Sequence, residues 1–165
     1  MINSSEIESE KAAAPIKVRD LNRTYSARPR DIQQRWYLVD AKDQPLGRLA
    51  ARITRVLLGK NKECYTPHID TGDFVVVINS ASVELTGDKW DSKMYYHHTG
   101  YPGGIKSFTA RQKLSRDPTF LVRKAVVGML PKNKLSRQIV KKLKVYAGPE
   151  HPHAAQKPVP LALVE

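Results

Sequence analysis

Cysteine is almost missing from this chain: its 165 residues include one, Cys64, with no partner for an internal disulfide. No cluster of thiols and imidazoles has zinc-ligand spacing either, so a metal centre is not expected and the usage fits a reducing compartment. Long apolar runs are also lacking. Nothing approaches the roughly 20 residues of a membrane span, and no membrane partner is expected. The N-terminus, MINSSEIESEKAAAPIKV, has no apolar stretch of the secretory kind, and Glu6, Glu8 and Glu10 do not suit an acid-poor transit peptide. Internal repeats and low-complexity tracts are absent. The scarcity that says most is of acid near the end: between residues 105 and 149, Asp117 is the only carboxylate.

What is present is enough apolar residue, 41 %, to build one core. The formal net charge of +12 is unevenly spread. Residues 1–35 hold seven bases and five acids, residues 36–104 eight of each, and residues 105–165 thirteen bases against three acids. A balanced middle beside a basic last third implies a localised field, which suits a polyanion, nucleic acid ahead of an anionic lipid surface.

Three segments follow from composition: a polar extension over residues 1–33, one α/β domain over 34–148, and a proline-rich extended tail over 149–165. WYLVD (36–40) and DFVVVIN (73–79) predict strands covered on both faces, as in a parallel sheet. Between them Leu46, Leu49, Ala50, Ile53, Val56 and Leu57 recur at helical spacing, and Gly59 follows as a stop. Strand, helix and strand make a right-handed βαβ unit. SVELTG (82–87) and KMYYHHT (93–99) predict two more strands about a GDKW turn. Asp117 and Pro118 predict a helix start, with Val122, Ala125, Val126 and Met129 on its inner face and Pro131 ending it. Asn133 then caps a helix expected to continue until Gly148 and Pro149 stop it.

On that last helix, Leu135, Ile139 and Leu143 fall on one side, and Lys134, Arg137, Lys141 and Lys144 on the other. Lysines 141, 142 and 144 near its end also oppose the helix dipole, which explains part of the charge. It does not explain the lack of glutamates, which would stabilise an exposed helix by pairing. With Lys106, Arg111, Lys113, Arg116, Arg123, Lys124 and Lys132 ahead of it, the run points to phosphate binding. Arg48, Arg52 and Arg55, spaced four and three on the first helix, read equally well as a solvated face or as RNA contacts.

KMYYHHTGYPGGIK (93–106) offers a different chemistry. Strand alternation sets Tyr95 with His97 against Tyr96 with His98, so adjacent histidines take separate roles, one inward and one outward, rather than sharing a metal. GYPGG lacks the Walker spacing. Gly103 and Gly104 would let backbone approach a phosphate, while Tyr101 or an outward imidazole could stack on an unpaired base. Catalysis has little support. Asp40 follows the first strand and loops carry Asp70 and Asp73, but only Gly47 follows that strand where a diphosphate cradle needs several glycines, and Pro67 interrupts Cys64 and His68. No cofactor and no small-molecule substrate is expected.

WYLVDAKDQPLGRLA, YTPHIDTGDFVVVIN, YYHHTGYPGGIK, AVVGMLPKNKL and LKVYAGPEHPHAAQ occur in that order from Trp36 to about Pro158. Together they resemble the bacterial type of the large-subunit ribosomal protein thirteen family. That resemblance implies a three-layer α/β/α fold around a mainly parallel sheet of about four strands and no catalytic activity. It further implies direct binding to large-subunit ribosomal RNA, early participation in subunit assembly, neighbouring ribosomal proteins as partners, and a place in the large subunit in the cytoplasm. Residues carried over within the matching stretches are Lys106, Lys132, Arg137, Lys141, Lys142 and Lys144, with Tyr95, Tyr96, His97, His98 and Tyr101. Two other classes stay open, a nucleotide-dependent α/β enzyme and a free-standing RNA-binding translational regulator.

Overall fold

The three consecutive valines Val75, Val76 and Val77 are wholly buried, which places β2 (Phe74–Ile78) in the middle of a sheet. The computed structural model describes residues 25–161. Before β2 come β1 (Trp36–Asp40) and α1 (Leu46–Leu58). After it come α2 (Lys89–Ser92), β3 (Met94–His98), β4 (Ile105–Thr109), α3 (Ala110–Arg116), α4 (Phe120–Met129), α5 (Lys134–Ile139), β5 (Leu143–Val145) and β6 (Val159–Pro160). The extension as far as residue 24 lies outside the described residues. Its last part is not loose: Ala27 is buried, and its N–H donates to Thr66 Oγ1 at 3.0 Å.

Four strands form one sheet in the order β5-β2-β1-β6, every pair parallel. Val39, Val75 and Val77 on one face share a core with Leu49, Ile53 and Leu57 of α1 and Leu121, Val122 and Val126 of α4. All six apolar positions predicted for α1 are buried, and its chain reverses at Gly59, whose φ of 76° is left-handed and whose N–H bonds to the Arg55 and Val56 carbonyls. On the other face Trp36 stacks on Phe74 with ring centroids 4.4 Å apart, and His153 from the C-terminal segment lies against Trp36 at 5.1 Å. Tyr146 Oη and His153 Nε2 are 2.8 Å apart, fixing that segment to the sheet. The arrangement is the expected three-layer α/β fold about a mainly parallel sheet.

Two of the four strands differ from those expected. SVELTG alternates as a strand should, with Val83 and Leu85 buried, but among the described residues makes only one bridge, Glu84 to Pro45. Proline has no N–H to extend the ladder. Residues 93–99 contribute β3 to a separate antiparallel hairpin with β4, and a short helix, α2, takes the second half of the GDKW turn. The missing sheet positions are filled from the far end of the chain.

The long C-terminal helix is a correction of more consequence. It ends at Ile139, passes through a 3-10 turn over Val140–Lys142 and becomes β5, with Leu143, Lys144 and Val145 beside Val75, Val76 and Val77. Leu143 and Val145 also alternate about Lys144 with the period of a strand, and the open edge of β2 offers hydrogen bonds that outweigh helical preference there. Helix α4 starts later than expected, because Asp117 Oδ1 accepts both the N–H and O–H of Thr119, at 2.9 and 2.7 Å, in a turn ahead of Phe120. Met129, expected inside, is 45 % exposed.

Candidate nucleic-acid interface

Asn133 Oδ1 accepts the Ser136 N–H at 2.8 Å, starting α5 as expected, and Ile139 anchors the helix in the core. Lys132, Lys134, Arg137 and Lys141 are left exposed on this segment. Among the described residues none of the four has a carboxylate within ion-pair distance. Cations held outward without local neutralisation make a positive surface suited to phosphate.

Lys142 does not belong to that surface. It is 7 % exposed, its Nζ lies 2.6 Å from Asp70 Oδ1, and it donates to the Gly72 carbonyl at 2.9 Å. A side chain turned inward to close the loop before β2 has no charge left to present, so its expected RNA role is withdrawn. Lys144 is half-buried on β5 rather than on a helical face.

The preceding cations are presented in several ways. Thr109 Oγ1 and the Gln112 side chain form a reciprocal cap that starts α3. From α3, Lys113 Nζ lies 4.2 Å from the Phe108 ring centroid, and Arg116 Cζ lies 4.8 Å from it. The ring gives both cations a direction without cancelling their charge. Arg111 pairs with Asp91 at 3.1 Å, and because both side chains are exposed the pair is weak enough to yield to a phosphate. Arg123 and Lys124 are exposed on α4 and Lys106 on β4. Asp117 is held below the usual carboxylate range chiefly by the Thr119 side-chain hydrogen bond, then by its backbone N–H, with Arg123 adding to the effect.

Of the α1 arginines, Arg48 and Arg55 are exposed and Arg52 is half-buried. The structure brings Arg48 and Lys124 into one open groove of about 880 Å³ together with Lys89, Lys93, Glu84 and Tyr95. Lys89 and Lys93 escaped sequence reasoning because Glu84, Asp88 and Asp91 surround them and cancel the linear charge.

The hairpin separates its aromatic residues. Tyr95 packs edge-on against Phe120 at 5.3 Å, and burial raises its phenol above the ordinary value, so it is a wall residue rather than a free stacking platform. Tyr96 and Tyr101 are 68 % and 76 % exposed. Neither histidine turns inward: both are exposed, with His97 opposite Lys106 and His98 accepting the Gly100 N–H. The turn itself requires its glycines. Gly103 has φ 69°, and a Cβ on Gly104 would stand 2.0 Å from Thr99 Oγ1.

Among the described residues no His, Cys, Asp and Glu side chains gather as metal ligands, and no helix is long and apolar enough to cross a membrane. The family model described as Ribosomal protein L13 matches residues 34–152. The chain is 60 % identical over 135 residues to large ribosomal subunit protein uL13 of Geobacter sulfurreducens, covering 82 % of this chain and 94 % of that one. It is 54 % identical over 143 residues to the protein of that name from Thermotoga petrophila, covering 87 % and 96 %. For Symbiobacterium thermophilum the figures are 52 % over 141 residues, covering 86 % and 99 %. With the parallel sheet, the YYHHTGYPGGIK hairpin and the acid-poor α5 segment in the expected order, these matches establish that the chain belongs to the ribosomal protein L13 family.

Proposed function

We propose that this protein is a non-catalytic constituent of the large ribosomal subunit that binds large-subunit ribosomal RNA directly and acts early in subunit assembly, in the cytoplasm, beside other ribosomal proteins. One observation carries the RNA contact: Lys132, Lys134, Arg137 and Lys141 project from a short, well-anchored segment with no carboxylate in ion-pair reach among the described residues. The relatives' names supply the subunit. A-form RNA presents phosphate ridges and a shallow minor groove, so such a surface reads shape rather than base sequence.

The test replaces those four side chains with glutamine and measures binding to a large-subunit RNA transcript as salt is varied. Losing four phosphate contacts should lower the log-log salt slope by about 2.8 to 3.6. An unchanged affinity and slope would remove α5 from the interface. A free-standing regulator of messenger RNA is separated by sucrose-gradient sedimentation of cell extract: co-migration with large subunits and their precursors is expected, and a predominantly ribosome-free pool would favour the regulator.

A further inference from the structure

The groove between α1, α4 and the start of β3 holds four cations, Arg48, Lys89, Lys93 and Lys124, against one lining carboxylate, Glu84. It therefore concentrates positive potential, three of the four cations coming from residues 36–104, whose linear charge sums to zero. The cations come from three elements, Arg48 from α1, Lys124 from α4, and Lys89 and Lys93 from the start and C-cap of α2, a spread that suits phosphates spaced along a strand. A glycine-rich turn converging on one diphosphate is lacking.

The groove's walls are shaped for close approach. Gly47 on α1 and Gly128 on α4 both line it, and a Cβ at either would meet nothing within 4 Å. Glycine inside a helix costs about 1 kcal/mol relative to alanine, and neither position has a packing contact that demands it. What the missing side chains provide is room for an occupant. The first turn of α1 also opens here: the Leu46 N–H donates to the Glu84 carbonyl at 3.0 Å, but Pro45 at the N-cap supplies no side-chain acceptor and no acid lies in that turn, so the amides that follow add partial positive charge. Ala125 and the half-exposed Met129 give apolar surface for sugar rings, and Tyr95 sets a phenol in the wall.

We propose that this groove is a second ribosomal-RNA site, which takes a sugar-phosphate strand by its backbone, separate from the α5 surface. The inference rests on the reading of the protein as an RNA-binding ribosomal component and adds where a further strand lies. Two full-length variants test it. Arg48→Gln/Lys89→Gln/Lys93→Gln/Lys124→Gln removes the cations, and Gly128→Glu places a carboxylate in open space while improving helical preference, so it retains the fold.

Binding to a large-subunit RNA transcript is measured between 50 and 200 mM KCl. The four-cation variant should show a salt slope flatter by roughly 3, so that wild-type affinity falls about sixtyfold more than the variant's across that range. Gly128→Glu should bind more weakly than wild type while melting no lower than it. If wild type and the α5 variant behave as described above while both groove variants bind like wild type, the groove assignment alone falls. Should wild type itself show no salt-dependent RNA binding, the broader reading falls with it. If AMP protects the wild-type protein thermally, and the groove variants abolish that protection while binding RNA normally, the site is a small-ligand pocket and the proposal is overturned.

Discussion

Replacing Lys142 with glutamine, beside the same change at its neighbour Lys141, separates a cation that holds the fold from one that faces outward. Lys142 is 7 % exposed and joins the Asp70 carboxylate to the Gly72 carbonyl; Lys141 is exposed and has no carboxylate partner among the described residues. Removing one member of a buried pair costs about 3–5 kcal/mol. The Asp70 side chain is 20 % exposed, so water recovers part of that loss. The buried Gly72 carbonyl left without its donor costs about 1–3 kcal/mol, a cost that overlaps the first rather than adding to it. About 2–4 kcal/mol is the resulting expectation for Lys142→Gln, lowering Tm by roughly 4–16 °C at this chain length. Lys141→Gln should stay within about 0.5 kcal/mol of wild type, as exposed substitutions do. Urea and thermal melts read the stability, and filter binding across a salt series reads the charge lost to RNA. A Lys142→Gln protein that melts like wild type yet loses a full phosphate contact's worth of salt slope would refute the assignment of Lys142 to the fold.

Gly72→Ala should be more damaging than its size suggests, because the new Cβ would stand 1.7 Å from the Leu57 carbonyl oxygen at the end of α1. A loss of about 1–3 kcal/mol or more is expected from such overpacking, read as a lower urea midpoint. Asp117→Ala should cost about 0.5–2 kcal/mol by removing the turn that leads into α4. Since the folded-state value of Asp117 is lowered, its contribution is complete above the ordinary carboxylate range and is lost as pH falls through the folded value. The stability gap between wild type and Asp117→Ala should therefore close in acid, measured as urea midpoints over a pH series; a gap that widened there would contradict the hydrogen-bonding account.

The βαβ unit was legible because Leu46, Leu49, Ala50, Ile53, Val56 and Leu57 repeat without interruption and Val75 to Val77 form an unbroken apolar strand. The Asn133 cap was legible for the same reason, being local. The sheet's outer strands were not. β5 is three residues and β6 two, and both exist because an open sheet edge was available to a distant segment. A TxxQ box at Thr109 to Gln112 did announce α3 and was there to be read. For the candidate site, an excess of charge over a stretch found the α5 cations. The same count included Lys142, since it carries no information about which lysine turns inward, and it passed over Lys89 and Lys93, since acids beside them in the chain do not follow them into the groove.

β6 meets β1 in parallel at Tyr37 and Leu38, and the Leu161 N–H donates to the Leu38 carbonyl at 2.9 Å. A growing chain makes β1 early and must wait until Val159 and Pro160 emerge before that border can be sealed. Through most of synthesis the strand keeps an unfilled row of backbone donors and acceptors, the kind of edge that recruits other chains. Trimming residues 158 to 165 should recreate that condition permanently in the finished protein.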